Sequence, residues 1–252
     1  MLEKRLNLKN VFVMAICLKC ITAFASFDKE EEIEGTEVVF LLEEIRCSAG
    51  ERFVYEYDNQ DRITKYTIYG ANGQPEWVST YTYNVEGDLV EQKDNDFIIR
   101  YTKNGNKIAF IDEEGGRAEI ELDAQGLPVK DTYEWVDDSG MFWSKHTTVL
   151  TWQNGNVIKT EATDEWKTGS ETGSEISLVT YTYDDKIAPL YHCKTPKWFL
   201  WWEGYNINNN IKTWNKEDSS ITYEYTYNDD GFPVTRKANN NSITDTFIYR
   251  KK

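Results

Sequence analysis

Few residues of this chain have the type and spacing that catalytic chemistry needs. His192 and Cys193 form the one adjacent pair of base and nucleophile, but neighbouring residues of a strand point apart and are poorly placed to share a proton. The acidic stretches 137–140 and 228–231 lack the distal glutamate of a calcium loop, so they are interpreted as hairpin turns. No serine-hydrolase elbow, phosphate loop or dinucleotide fingerprint is present. The sequence therefore predicts a protein that is not an enzyme and needs no cofactor.

An aromatic cluster is the strongest candidate for ligand binding. Trp198, Trp201 and Trp202 are three of the nine tryptophans, and Tyr205 follows them. Exposed rings in this arrangement would form a flat apolar platform suited to a sugar ring, a lipid chain or a partner protein. Buried rings would instead plug one end of the folded body. We take these four residues as the candidate ligand-binding residues and leave both arrangements open.

Cys47 and Cys193 are the cysteines that remain after the first 25 residues, and they are a candidate disulfide for an oxidising compartment. Sequence gives no distance between them, so the paired and free states are both open. A metal site is not expected, because this part of the chain has no Cys-x-x-Cys motif and only two histidines.

The composition excludes two broad classes of protein. The chain has 252 residues, with 43 Asp+Glu against 28 Lys+Arg and a formal net charge of −15. Such a surface repels phosphate backbones, so nucleic-acid binding is disfavoured. Disorder is also disfavoured, because 16 Tyr, 11 Phe and 9 Trp provide ample apolar area for a core. The length suits one all-β domain.

The N-terminal segment has the features of a signal peptide. A short basic stretch precedes the apolar run 11–18, and Ala23, Phe24 and Ala25 provide a small-x-small cleavage site. The apolar run is too short for a permanent transmembrane helix; a buried N-terminal helix is the alternative. We assign residues 1–25 to a signal peptide, 26–37 to an acidic tether and 38–252 to a single β-domain, and we expect a periplasmic or secreted protein.

The rest of the chain is a series of β-hairpin signals. A Tyr-x-Tyr or similar strand end, a polar turn and a β-branched strand recur at 55–64, 81–90, 120–129 and 225–234. In the turn, Asp or Asn caps its own backbone and Gly, or Asp61 in the first copy, takes the position with positive φ. Asn104-Gly105 and Asn154-Gly155 predict two tighter hairpins. The close spacing predicts an antiparallel meander of about 12–16 strands, with an irregular insertion at 187–215.

These motifs resemble two known groups of proteins. The Tyr-x-Tyr-Asp-x-x-Gly unit is similar to the YD-repeat of large secreted β-shells. Together with the leader and the element 183–189, residues 38–252 more closely resemble a Bacteroidetes envelope domain described as having a porin-like fold. The resemblance implies an all-β body curved into a barrel, no catalytic residues and, as one candidate, a lipid-like ligand. Leaders of Bacteroidetes lipoproteins end at a cysteine, where this chain has Phe27, so the expected product carries no lipid anchor.

Three functional hypotheses follow from these observations. The first is a non-catalytic protein of the cell envelope that binds a hydrophobic, lipid-like ligand or a glycan. The second is a scaffold without a small ligand that binds an envelope protein partner through strand edges or its acidic face. The third and least favoured is a glycan-active hydrolase, because no carboxylate pair stands out among the acidic residues. A membrane-spanning barrel is disfavoured because strands such as 160–165 carry charge on both faces.

Overall fold

The computed structural model describes residues 38–112, 114–217 and 219–252, and they form a closed barrel of sixteen antiparallel strands. Each strand pairs with its neighbours in sequence, and β1 pairs with β16 to close the barrel. This confirms the predicted all-β meander. The elements are β1 Phe40–Cys47, β2 Arg52–Tyr57, β3 Ile63–Tyr69, β4 Pro75–Tyr83, β5 Leu89–Asp94, β6 Phe97–Asn104, β7 Lys107–Ile111, β8 Arg117–Leu122, β9 Pro128–Val136, β10 Phe142–Gln153, β11 Asn156–Thr168, β12 Glu171–Ile187, α1 Lys197–Trp202, β13 Asn209–Lys216, β14 Ser219–Tyr227, β15 Pro233–Ala238 and β16 Thr244–Lys251.

The predicted signal peptide, the acidic tether and Phe27 lie outside the described residues. Within the described ranges, no helix has the length and apolar character that a bilayer span requires.

The recurrent turns have the predicted chemistry. At 58–62 the Asp58 Oδ1 accepts the backbone N–H groups of Gln60 and Arg62, at 2.9 and 3.0 Å. The turn closes at Asp61, whose φ is 64°; Gly87, Gly126 and Gly231 hold the equivalent position with φ of 77–89°. These turns join even-numbered strands to odd-numbered ones, so all of them lie at the same end of the barrel.

One of the two tight hairpins differs from the prediction by one residue. Asn154 and Gly155 form the β10–β11 loop, and both have positive φ, as a type I′ turn requires. In the other hairpin Asn104 pairs with Lys107, so Gly105 and not Asn104 is the first residue of the loop. Glycine at this position, with φ of 61°, suits a type II′ turn. The shift changes the cross-strand partners, so that Tyr101 pairs with Phe110; Tyr101 and Ile108 share the inner face and both are buried.

The irregular insertion fills one end of the barrel. It runs from residue 188 to 208 between β12 and β13, shorter than the range 187–215 drawn from sequence, and includes the short helix α1. We call residues 188–208 the plug. Leu190, Trp198, Phe199 and Leu200 of the plug belong to the main hydrophobic core together with side chains from the barrel wall. The core of the protein therefore lies inside the barrel.

Hydrogen bonds with the barrel backbone hold the plug at the end where the Asp and Asn turns lie. The N–H group of Phe40 donates to His192 Nδ1 at 3.0 Å, and the N–H group of Ile63 donates to Thr195 Oγ1 at 2.8 Å. The N–H group of Lys194 donates to the carbonyl oxygen of Asp61 at 2.9 Å. We call this the plugged end; it is where the recurrent turns and the plug meet.

The plug explains why tyrosines recur at the ends of strands. In the Tyr-x-Tyr pairs of β2, β4 and β12 both rings face inward, and the first ring, Tyr55, Tyr81 or Tyr181, is buried. The second hydroxyl donates to a carbonyl oxygen of the preceding strand: Tyr57 to Leu42 at 2.7 Å and Tyr83 to Ile63 at 2.7 Å. Tyr183 and Tyr249 make equivalent bonds. The repeated tyrosines thus pack the core and link neighbouring strands at the rim.

The outer face of the barrel is polar. Ion pairs join neighbouring strands there, including Lys65 with Glu56 at 2.6 Å and Lys107 with Glu119 at 2.5 Å. Threonines alternate with these charged residues along several strands, as at 80 and 82 on β4. By strand alternation these side chains point away from the core. Their contribution to stability is small because they are exposed to solvent.

The candidate disulfide is not formed. Cys47 and Cys193 are both free. Cys47 ends β1, whereas Cys193 follows His192, which binds the first residue of that strand. The eight residues of β1 span about 20 Å at the usual strand rise, far beyond the reach of a disulfide.

Removing a plug ring tests whether the plug is part of the folding core. Phe199 is 2% exposed and packs against Tyr81 and Tyr101, so we expect Phe199→Ala to lower the free energy of unfolding by about 3–5 kcal/mol. Tyr191→Ala, at a plug residue that is 45% exposed, serves as the control and should cost less than about 1 kcal/mol. Urea unfolding followed by tryptophan fluorescence measures both. Equal effects of the two variants would contradict a plug that contributes to the core.

Candidate ligand site in the barrel lumen

A cluster of polar side chains lies inside the barrel next to the plug. Strand alternation directs Ser79 of β4, Gln92 and Asp94 of β5 and Tyr101 of β6 into the lumen. Glu203, the residue directly after α1, joins them from the plug, where the Gln92 side chain interacts with its carboxyl. We call these five residues the lumen cluster. It combines two carboxyl groups, one amide and two hydroxyls in the interior.

Gln92 is the centre of the lumen cluster. Its Oε1 accepts the Tyr101 hydroxyl at 2.5 Å, and its Nε2 donates to Asp94 Oδ2 at 2.7 Å. Its side chain also bonds the carboxyl of Glu203, while Ser79 bonds Asp94. One oxygen of each carboxyl, Asp94 Oδ1 and Glu203 Oε1, is buried without a hydrogen-bond partner in the described part of the chain. The two acids are therefore held together but only half satisfied.

Burial makes both acids unusually weak. Loss of solvent, reinforced by the neighbouring Asp94 carboxyl, raises the pKa of Glu203 to about 8. Burial likewise raises the pKa of Asp94, which is 6% exposed, although its bonds to Ser79 and Gln92 oppose this shift. Glu203 as a whole keeps some accessible surface even though its Oε1 has none. Its side chain therefore borders the lumen with one oxygen turned into the protein.

Tyrosine rings surround the lumen cluster. Burial is the main cause that raises the pKa of Tyr81 and Tyr101, and the charge of Glu203 is the second. Tyr55 lies 5.1 Å from Tyr66 and 6.1 Å from Tyr205 between ring centroids. The Tyr55 hydroxyl donates to the Tyr205 hydroxyl at 3.4 Å. The rings bring both apolar faces and hydroxyl groups to the interior wall.

The structure separates the four predicted ligand-binding residues. Trp198 is 4% exposed and packs edge to face on Tyr101 at 5.3 Å, so it is a core residue. Trp202 packs edge to face on Phe110 at 5.7 Å. Trp201, Trp202 and Tyr205 keep part of their surface accessible and contact the core. They do not form a continuous platform on the outside of the protein.

A second polar cluster lies on the inner wall formed by β9, β10 and β11. His146 Nδ1 is 2.9 Å from Asp164 Oδ1, and His146 Nε2 is 2.9 Å from Thr148 Oγ1. Thr148 in turn bonds Asp131, whose pKa burial raises to about 7 against the opposing effect of His146. Sequence analysis missed this cluster. The 154–155 hairpin could have indicated it, because counting back along both strands brings His146 close to Asp164.

Other parts of the interior provide fewer polar groups for ligand binding than these two clusters. Arg236 pairs with Asp245 at 2.7 Å on the inner wall. Within the described ranges, no three His, Cys, Asp or Glu side chains come together as a metal site would require. A cleft of about 410 Å³ lies between the turns at 84–88 and 105. It shares Tyr101 with the lumen cluster and is lined by the turn residues Asn84, Asp88 and Gly105 and by the adjoining residues of β5 and β6 at the plugged end.

Comparison with known proteins gives limited information. No protein-family model matches the chain, and no curated protein matches its sequence. A porin-like protein from Bacteroides uniformis superposes with a TM-score of 0.36 and 14% identity, over 83% of this chain and 98% of that one. A porin-like protein from Bacteroides vulgatus superposes with a TM-score of 0.36 and 10% identity, over 83% and 99% of the two chains. At this level of similarity no residue role is transferred.

The raised pKa of Glu203 has a measurable consequence for stability. Its value of about 8 in the folded protein exceeds the ordinary 4.5, so the folded state keeps a proton that the unfolded chain releases. Stability contributed by this group is therefore lost as the pH rises from 4.5 to about 8. At the upper end of this pH range we expect Glu203→Gln to be more stable than the wild type by on the order of 2 kcal/mol. At the lower end of the range the two proteins should be equally stable.

Thermal unfolding across this pH range measures the difference. Glu175→Gln, at an exposed residue of β12, is the matched control and should show no pH-dependent gain. A Glu203→Gln variant whose stability tracks that of the wild type at every pH would mean that Glu203 is ionised in the folded protein.

Proposed function

We propose that this protein is an exported, non-catalytic protein of the cell envelope that binds a glycan-like ligand in the barrel lumen. The observation that carries the proposal is the lumen cluster beside the plug, where Asp94, Gln92 and Glu203 lie among tyrosine rings. Aromatic faces and hydrogen-bonding groups at one place are the combination that a sugar ring requires.

The shape of the barrel supports a binding cup. Sixteen-stranded barrels have an interior too wide for wall side chains alone to fill, and here the plug fills the end where the recurrent turns lie. At the opposite end, the described connections are short hairpin turns, such as 48–51 and 95–96, and none is long enough to reach across. A ligand would therefore enter from that end and meet the plug.

The polarity of the lumen cluster favours a glycan over a lipid-like ligand. An acyl chain against Asp94 and Glu203 would leave their free oxygens without hydrogen-bond partners, which is costly in an apolar environment. A sugar carries hydroxyl groups that suit a polar wall, and rings such as that of Trp201 can cover its apolar face. The polar outer surface with its interstrand ion pairs is poorly suited to contact with lipid chains. It supports a protein that does not span the membrane.

A binding role also accounts for the acid pair better than hydrolysis does. Two carboxyl groups, one with a raised pKa, are a feature of glycosidases, in which they flank the bond that is cleaved. Here the Gln92 side chain bonds both Asp94 and Glu203. The two acids therefore share one amide partner within the protein. The arrangement favours binding without turnover.

Trp201 provides the direct test of the glycan proposal. The full chain is expressed with its leader, purified and screened against an array of neutral and charged oligosaccharides. We expect the wild type to bind at least one class, and Trp201→Ala to weaken that binding about ten-fold or more, since a buried aromatic anchor carries much of a binding energy. Trp143→Ala removes a ring that alternation places on the outer face and should leave binding unchanged. Absence of binding to every oligosaccharide would refute the proposal.

A second candidate function is the scaffold role, now restricted to the outer surface. Barrel closure through β1 and β16 removes the free strand edges at the two ends of the meander, one of the two surfaces that this hypothesis offered, the other being the acidic face. Exposed apolar side chains remain at Val149 of β10 and at Ile176 and Leu178 of β12. By alternation all three point outward, on two long strands that flank β11.

Charge substitution tests this second candidate. If the outer surface binds an envelope protein, Ile176→Lys with Leu178→Lys should abolish cross-linking to that protein in intact cells, whereas Val85→Lys, at an exposed turn residue, should not. A cross-linking pattern that is identical for the wild type, the double variant and the control variant would count against the scaffold role.

A further inference from the structure

One stretch of strand edge stays unpaired at the end of the barrel opposite the plug. β12 runs from Glu171 to Ile187, but its pairing with β13 begins only at Val179, opposite Lys216. Residues 171–178 therefore pair with β11 on one side, and no described strand pairs with them on the other. A stretch of this length spans about 27 Å. We call residues 171–178 the rim edge.

The hairpin that joins β11 to β12 shows which backbone groups of the rim edge are free. Thr168 pairs with Glu171 across a two-residue loop whose first residue, Gly169, has a φ of 62°, as in a type II′ turn. The residues that close such a loop exchange both backbone hydrogen bonds, and every second residue repeats this pattern. The N–H and C=O groups of the alternate residues therefore face away from β11, and they have no backbone partner in the described ranges. These residues are Thr172, Ser174, Ile176 and Leu178.

The rim edge lacks most of the devices that keep a strand edge from pairing with another chain. Proline, lysine or a β-bulge in an edge strand prevents such pairing. Residues 171–178 include no proline and no lysine, and their register with β11 is continuous. Ile176 and Leu178 are 66% and 43% exposed. An added strand would therefore find free backbone groups and an apolar outer face.

The charges of the rim edge determine which kind of strand can pair with it. By alternation Glu171 and Glu175 point to the inner face, where Asp164 of β11 lies opposite Glu175. A like charge opposite an acid destabilises a pair of strands, whereas a base stabilises it. A second copy would bring its own two glutamates to this face, and the chain's own segment 28–34 is rich in acids. Both are disfavoured, and a basic strand is favoured.

We propose that the rim edge is a docking site for an extended basic segment of a partner protein, which adds to the barrel wall as a further strand. The segment's backbone bonds the free N–H and C=O groups of the rim edge. Its lysine or arginine side chains lie opposite Glu171 and Glu175, and its apolar side chains contact Ile176 and Leu178. The site is separate from the barrel lumen and does not depend on glycan binding.

A labelled octapeptide of alternating lysine and valine tests the rim edge, with its binding to the full chain followed by fluorescence anisotropy. We expect the wild type to bind it and Ser174→Pro to weaken binding about ten-fold or more, because proline removes an N–H group from the free row and none from the pairing with β11. Ser174→Ala keeps this N–H group and should bind like the wild type. Neither substitution changes the net charge, so general attraction to an acidic protein would not distinguish the two variants.

Charge reversal provides a second test that does not depend on proline. Glu171→Lys combined with Glu175→Lys should weaken binding of the lysine peptide about ten-fold or more. The same double variant should bind a peptide of alternating glutamate and valine, which the wild type should not bind. Urea unfolding followed by tryptophan fluorescence checks that each variant is folded.

The outcomes decide both the site and its occupant. Failure of the wild type to bind the lysine peptide would overturn the proposal, as would equal binding by the wild type and folded Ser174→Pro. An unchanged preference for lysine after charge reversal would also overturn it. A wild-type dimer in analytical ultracentrifugation that Ser174→Pro dissociates would mean that a second copy, and not a basic partner, occupies the rim edge.

Discussion

The packing of the plug against the inner face of the barrel is the interaction on which the rest of the structure depends. A barrel of sixteen strands encloses more space than its wall side chains can fill, and close packing is required for a stable core. Residues 188–208 solve this problem at one end, where Trp198, Phe199 and Leu200 are almost fully buried. The core is therefore made where this one connection of the meander packs against inward side chains of the barrel wall.

The same contact accounts for the repeated sequence unit. The Asp and Asn turns lie at the plugged end, so the strand residues that precede them face the plug. A large ring suits this position because it reaches the plug, as Tyr81 reaches Phe199 at 5.2 Å. A hydroxyl suits the following inward position, where Tyr83 bonds the carbonyl oxygen of Ile63. The Tyr-x-Tyr-turn unit is therefore a consequence of building the core at one end of the barrel.

Beyond the plug the interior becomes polar, and this is where function is expected. Burying Asp94 and Glu203 without a basic partner raises the pKa of both groups and costs stability at neutral pH. Natural proteins tolerate such a cost mainly where a ligand, a proton or a reaction uses it. The paired inner-wall residues Arg236 and Asp245 show that this barrel can balance an interior charge. The inward acids with an unpartnered oxygen, Asp94, Glu203 and Asp131, are therefore the parts of the interior that most need an explanation beyond folding.

Local chemistry in the sequence determined most of the fold. Turn residues such as Gly87 and Gly155 set the hairpins through their backbone freedom, and alternation set which face each strand residue takes. Even so, the β6–β7 loop lies one residue later than its Asn-Gly signal indicates, in a register that pairs Tyr101 with Phe110. The tryptophan cluster also marked a distinct part of the structure, although its rings mainly pack the plug into the core.

Tertiary structure alone decided how the strands close, where the plug lies and which polar groups meet. Pairing of β1 with β16 joins the two ends of the meander, and no local signal specifies such a contact. The separation of Cys47 from Cys193 follows from the length of β1 and the position of the plug. Asp94 and Glu203 come from distant parts of the sequence and meet only because α1 enters the lumen beside β5. Turn and strand preferences act over a few residues, whereas a binding site depends on contacts that the closed barrel creates.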